Sequence, residues 1–242
     1  MVGPYGNQFT SLPMYQKFQP LSCKVFPMRW SFPPKFARYQ LLVLVAGLIP
    51  LAWLVFDALT NHLTANPIQA VEQRTGRYAL YLLIASLACT PLYNVSGWSV
   101  PLRWRRPLGL YAFMYATIHF LTFLGLDYGF DLGLIWADVA GKRYIIVGAT
   151  AFSILLLLAL TSTKGWQRRL KKTWIRLHRW VYAAGGLVIV HYVWSVKADI
   201  RPPLAWGAVI ALLLVLRLPP AKRWFVTRRA RRKVTRSQAV SS

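Results

Sequence analysis

The chain is short of acid. Its 242 residues include six Asp and Glu against thirty Lys and Arg, a formal charge of +24. Cysteine is scarce as well: Cys23 and Cys89 are too few and too far apart for a disulfide framework or a thiolate metal site. No Cys-x-x-Cys-His run occurs, which excludes covalent c-type haem. A phosphate-binding glycine loop, a recognisable internal repeat and a soluble stretch large enough for a nucleotide-binding domain are all lacking. Any reductant therefore has to come from another molecule. No residue set is suited to acid, base or nucleophilic work, so the chemistry expected is that of a carrier.

Apolar sequence is what the chain has in quantity, at 56% of residues. Crossing a hydrocarbon core of about 30 Å takes roughly 20 residues of helix, and runs of that kind lie at 39–58, 78–95, 108–126, 143–162, 177–196 and 204–218. In lipid the backbone has to satisfy its own hydrogen bonds, so the expected class is all-α, an integral membrane bundle of six helices. Residues 1–36 read as a poorly ordered cytoplasmic extension, because Pro4, Pro13, Pro20 and Pro27 oppose a long helix and no continuous apolar core marks a cleaved signal peptide. Met28 is an alternative start. Residues 37–219 form the expected transmembrane domain and 220–242 a basic tail. That tail, RWFVTRRARRKVTRS, suits an anionic lipid surface, where each basic residue gains roughly 1 kcal/mol, or serves only to fix topology.

A strongly basic chain also raises nucleic-acid binding, in which Lys and Arg line one face of a soluble domain. Here they sit between the spans, and no nucleic-acid partner is expected. One set of connections holds Lys17, Lys24, Arg29, Lys35 and Arg38, then Arg103, Arg105 and Arg106, then the run from Lys164 to Arg179, then the tail from Arg217. The opposite loops hold every acid, namely Asp57, Glu72, Asp127, Asp131, Asp138 and Asp199, balanced by Arg74, Arg77, Lys142, Arg143, Lys197 and Arg201. All the excess positive charge is on one side. By the positive-inside rule both termini are expected in the cytoplasm.

Four histidines are present. His62 falls in TNHLTANP, a turn-rich outer loop, and reads as an exposed residue. His119 stands thirteen residues past Arg106, and His191 twelve past Arg179, so at the rise of an α-helix each imidazole lies roughly 18–20 Å into the bilayer. The two are level, in the outer half. Leaving a polar group unpaired in an apolar setting costs roughly 2–7 kcal/mol, and polar groups at membrane depth call for a named partner. Two neutral imidazoles from facing helices suit the axial positions of a haem iron. Zinc is the nearest competitor, but it takes three or four protein ligands, and no cysteine or carboxylate lies at this depth. Gly125, Ala116, Gly185 and Gly186 are small residues that would let a flat ring approach, or ordinary helix contacts.

His178 is different. On one continuous helix its thirteen-residue separation from His191 turns it about 140° away, unless Gly185 and Gly186 permit a bend. It lies near the cytoplasmic edge, where Arg105 or Arg106 occupies the matching place on the third span. Three readings stand for it: ligand of a second haem with an unusual partner, part of a flavin or quinone site, or a surface histidine.

The stretches TGRYALYLLIASLACTPL, RRPLGLYAFMYATIHFLTF, LALTSTKGWQRRL and LHRWVYAAGGLVIVHYVWSVK, in that order, resemble the MsrQ (formerly YedZ) family within the ferric-reductase-like transmembrane superfamily. The resemblance covers about residues 35–220. It implies a b-type haem held by His119 and His191, with His178 matching the remaining family histidine, and an associated flavin, FMN. It further implies a multi-pass protein of the bacterial inner membrane, a donor that is the quinol pool or a cytoplasmic flavin reductase, and an acceptor resembling MsrP, a periplasmic molybdopterin enzyme that reduces oxidised methionines. Unlike the NADPH oxidases of the superfamily, this chain has a single histidine in span three and lacks a C-terminal flavin and nucleotide domain. Arg105 and Arg106 are placed to hold a flavin phosphate, and Arg77, Arg143 and Lys197 to meet haem propionates or the partner. The rival functions are a haem-free transporter with a histidine-lined proton path and a plain membrane anchor for a periplasmic enzyme.

Overall fold

In the computed structural model, the structure describes residues 34–196, 198–221, 223–225, 227 and 228. The N-terminal extension, with Cys23 and Met28, and most of the basic tail lie outside them. The described residues are helical throughout, with no strand among them: α1 (Pro34–Leu59), α2 (Pro67–Ser96), α3 (Val100–Leu121) continuing as a π-helical turn (Thr122–Asp127), α4 (Leu132–Gly141), α5 (Arg143–Leu160), α6 (Lys164–His178), α7 (Val181–Ser195) and α8 (Arg201–Val215). Four helical stretches are long and apolar enough to cross a membrane: Leu41–Leu59, Pro67–Ser96, Val100–Asp127 and Arg143–Leu160. Counting α8 with the short helix Pro219–Phe225, which meets it at 65°, makes five. The fifteen-residue α7 and ten-residue α4 are apolar but shorter.

Two connections expected as irregular are helical instead. The outer segment 127–143 contains α4, started by Asp131, whose Oδ1 accepts from the backbone N–H groups of Gly133 (2.8 Å) and Leu134 (3.1 Å). The basic segment after α5 is α6, started by Thr163 and broken at Lys171, where φ is 46°. Hydropathy marks only the lipid-spanning part of a helix, which is why α2 and α3 begin well ahead of their apolar runs. Asn66 caps α2, accepting from Gln69 N–H at 3.1 Å, and Pro67 supplies the preset first turn. Gly97, at φ 77°, ends it.

The core is built by α2, α3, α5 and α7, through Leu83, Leu87, Ala112, Leu155 and Ala184. A second cluster, Leu80, Ile84 and Ile210, joins α8 to α2. On the other flank α1 is tied to α3 by tyrosines: Tyr111 donates to Leu44 O and Tyr115 to Gly47 O, both at 2.8 Å. A Cβ at Gly47 would stand 2.7 Å from the Tyr111 ring. Leu41, Leu42, Trp53 and Phe56 of α1 remain exposed, the apolar exterior that lipid requires.

Candidate functional site

His119 on α3 and His191 on α7 come together, ring centroids 6.1 Å apart and planes at 82°. Each ring is held by a neighbouring helix through its Nδ1. His119 bonds to Glu72 O on α2 at 2.9 Å and His191 to Tyr144 O on α5 at 2.8 Å. A carbonyl only accepts, so Nδ1 carries the proton and Nε2 keeps its lone pair. This is the arrangement of metal-bound histidines, whose second nitrogen donates to a carbonyl that fixes tautomer and ring orientation. Two imidazoles on opposite sides of one metal, at bonds of about 2 Å, set their centroids about 6 Å apart. The pair fits that spacing.

The sequence reading did not find the groups that seat the rings. A Cβ at Gly148 would lie 2.6 Å from His191 Nδ1 and 2.8 Å from its Cε1; at Gly76 it would lie 3.3 Å from the same two atoms of His119. In each case the carbonyl bound and the glycine are four residues apart, so one bare helical turn receives each imidazole. The two half-sites repeat. Tyr144, Gly148 and His191 each follow Glu72, Gly76 and His119 by 72 residues, and both hydrogen bonds span 47 residues. The same interval relates Arg106 to His178. Of the expected small residues, Gly125 receives the Phe130 ring, Gly185 packs near Leu87 and Ile210 and Ala116 joins the core, while Gly186 has open space beside it.

His178 and His191 do not share a helix. The break falls at Arg179–Trp180, where tight bonds run from Arg179 N to Arg176 O and from Trp180 N to Leu177 O, rather than at the two glycines. His178 ends α6, stacked on Trp174 at 3.9 Å, with Nδ1 3.2 Å from Trp174 O. The charges of Arg105 and Arg106 on α3 reach it. Of the cations expected on the outer face, Arg77 is exposed and donates Nε to Gln73 O at 3.3 Å in its own helix, Arg143 is exposed at the start of α5, and Lys197 lies outside the described residues. Arg74 instead makes the inward ion pair, with Asp57 on α1. His62 is exposed beside Thr60.

At the end of the bundle that carries α4, Asp138 is bonded by Lys142 at 2.5 Å and by the Tyr128 hydroxyl. Lys142, and then Tyr128, hold its carboxyl below the usual carboxylate range. Among the described residues no three of His, Cys, Asp and Glu gather as a metal cluster, the fewest protein ligands a zinc site takes.

Residues 75–190 match the family described as ferric reductase like transmembrane component. Relatives named protein-methionine-sulfoxide reductase heme-binding subunit MsrQ occur in Rhodospirillum rubrum (47% identical, covering 76% of this chain and 89% of the relative), Xanthomonas axonopodis pv. citri (44%; 72% and 82%) and Herminiimonas arsenicoxydans (42%; 77% and 87%). The chain belongs to the MsrQ family. As an MsrQ family member it is a multi-pass membrane protein of the ferric-reductase-like kind, and its ferric-reductase match takes in Gly76, His119, Gly148 and His178 and stops one residue short of His191.

Proposed function

We propose that the chain is a transmembrane electron carrier in which His119 and His191 are the axial ligands of a b-type haem. One observation carries this reading: two imidazoles 6.1 Å apart, each with Nδ1 committed to a carbonyl and Nε2 available. Haem, when bound, supplies one-electron chemistry. The protein supplies the two nitrogens, fixes their tautomers and excludes water with apolar helices. The relatives' names, which speak of a haem-binding subunit, agree with the donor set.

In the full reading residues 37–219 form six spans, with α7 and α8 counted among them and both termini in the cytoplasm of a bacterium, the protein lying in its inner membrane. Electrons enter from the quinol pool or a cytoplasmic flavin reductase and leave to a periplasmic molybdopterin enzyme like MsrP that reduces methionine sulfoxide. Arg105, Arg106 and His178 serve FMN, a quinone or a second haem on the way. Arg77, Arg143 and Lys197 meet haem propionates or the acceptor on the outer face.

An oxidised and a dithionite-reduced absorption spectrum of the purified protein tests the central claim. A Soret band that shifts on reduction is expected, with most of it lost in His119→Ala and in His191→Ala, and a partial change in His178→Ala. Undiminished haem in both of the first two variants would remove the ligand assignment. Colourless wild-type protein would favour the transporter or anchor readings.

A further inference from the structure

The end of the bundle where α2 and α8 finish and α3 begins carries arginines without acids. Pro91, inside α2, has no N–H, so the carbonyl of Leu87 loses its helical donor. Arg217, just past α8, fills that place: one guanidinium nitrogen donates to Leu87 O and another to the Tyr182 hydroxyl at 2.9 Å. The guanidinium also lies 5.2 Å over the Tyr182 ring. Its Nε is buried with no partner among the described residues. Arg105, half-buried on α3, is brought to the same turn of α2, because the Ser86 hydroxyl, next to Leu87, donates to Arg105 O at 2.7 Å. Arg106 follows, with Nε 3.3 Å from Ser162 Oγ.

Among the described residues no acid neutralises this group. Among the described residues the ion pairs are Arg74–Asp57 and Lys142–Asp138, both at the other end, and of the remaining acids Glu72 lies in the second turn of α2 and Asp127, Asp131 and Asp199 lie in or beside that end's connections. A half-buried guanidinium with an orphan N–H between helices, beside a second half-buried arginine and no acid, calls for an anion. We infer that Arg217, Arg105 and Tyr182 form a site for a phosphate group. Planar guanidinium forks match its several acceptor oxygens, and basic pockets between spans on the cytoplasmic side are where phospholipid headgroups bind. The phosphate belongs to an anionic phospholipid or to a soluble phosphate monoester such as FMN. The site deepens the flavin part of the reading above by adding residues from α7 and α8, and it stands apart from the His119–His191 pair.

The test uses the full-length protein in detergent and in nanodiscs, with Arg217→Gln, Arg217→Lys and Tyr182→Phe. Retained phosphatidylglycerol and cardiolipin are measured by native mass spectrometry, and affinities for FMN and riboflavin by flavin fluorescence. Arg217→Gln should weaken phosphate-bearing ligands by about tenfold or more, with Lys and Phe intermediate, while the Soret band is unchanged. Loss of lipid alone identifies a headgroup site; loss of the preference for FMN over riboflavin alone identifies a monoester site. Wild-type retention of both kinds of ligand in a normally helical Arg217→Gln overturns the inference. So does a diminished Soret band with phosphate ligands retained, which would make Arg217 a haem residue. If Arg217→Gln does not fold, wild-type phosphate binding in both Arg217→Lys and Tyr182→Phe overturns it equally. Failure of the haem reading shows separately, as Soret absorbance that survives in the His119 and His191 variants.

Discussion

Gly76 and Gly148 set the positions of the two imidazoles as firmly as the helices that bear them. Because a Cβ at Gly148 would intrude to 2.6 Å of His191 Nδ1 and one at Gly76 only to 3.3 Å of His119, the two substitutions are graded. Gly148→Ala is expected to break the Tyr144 bond and weaken haem retention on the order of tenfold, the usual scale for losing a ligand's outer partner. Gly76→Ala should cost less. Haem-to-protein ratio after gel filtration checks the order; the reverse ranking would contradict the seating described here. Both histidines were legible in the sequence, since polar residues stand out in apolar runs and their depths follow from the helical rise. The glycines and the carbonyls of Glu72 and Tyr144 were not. A backbone acceptor has no residue signature, and a glycine in a membrane helix looks like any other small contact.

Among the elements, α4 is held to its neighbours by a small polar latch of Tyr128, Asp138 and Lys142. Asp138 has its carboxyl depressed below the ordinary 3.8. Its contribution is therefore complete above that value and is lost as the pH falls through the lower, folded-state value. Asp138→Asn should reproduce the acid state at neutral pH, seen as faster proteolytic nicking within 128–142 with the rest of the bundle intact; equal nicking rates would show that the latch does not hold α4. Sequence patterning found the long spans because twenty apolar residues in a row have few other uses. It passed over α4 and α6, the one too short and the other too charged for a hydropathy window, and it began the fifth span at 177, joining the last residues of α6 to α7, because Arg179 and Trp180 look no different in a turn than in a helix.

For the whole molecule, the segregation of charge makes the strongest forecast: a fluorescent reporter fused after Ser242 should be active and an alkaline phosphatase fusion there inactive, as for a cytoplasmic end. The opposite pattern would invert the topology. Helical class and membrane placement were readable from composition, whereas the internal repeat was not, because its 72-residue interval preserves helix register and two seating positions but little residue identity. Arg106 and His178 are related by the same interval but are unlike, and His178 lies beyond the break before α7 whereas Arg106 is continuous with His119, so the repeat holds around the two imidazoles and not below them. Finally, α7 runs only fifteen residues, about 22 Å, with Trp180 and Trp194 exposed at its ends. Side chains of that kind prefer the headgroup level, so in the six-span reading lipid pulled in to meet them is thinned around this helix. On the proposed electron-carrier reading, an electron entering from the cytoplasmic side would then have less hydrocarbon to cross than a bilayer of uniform thickness presents.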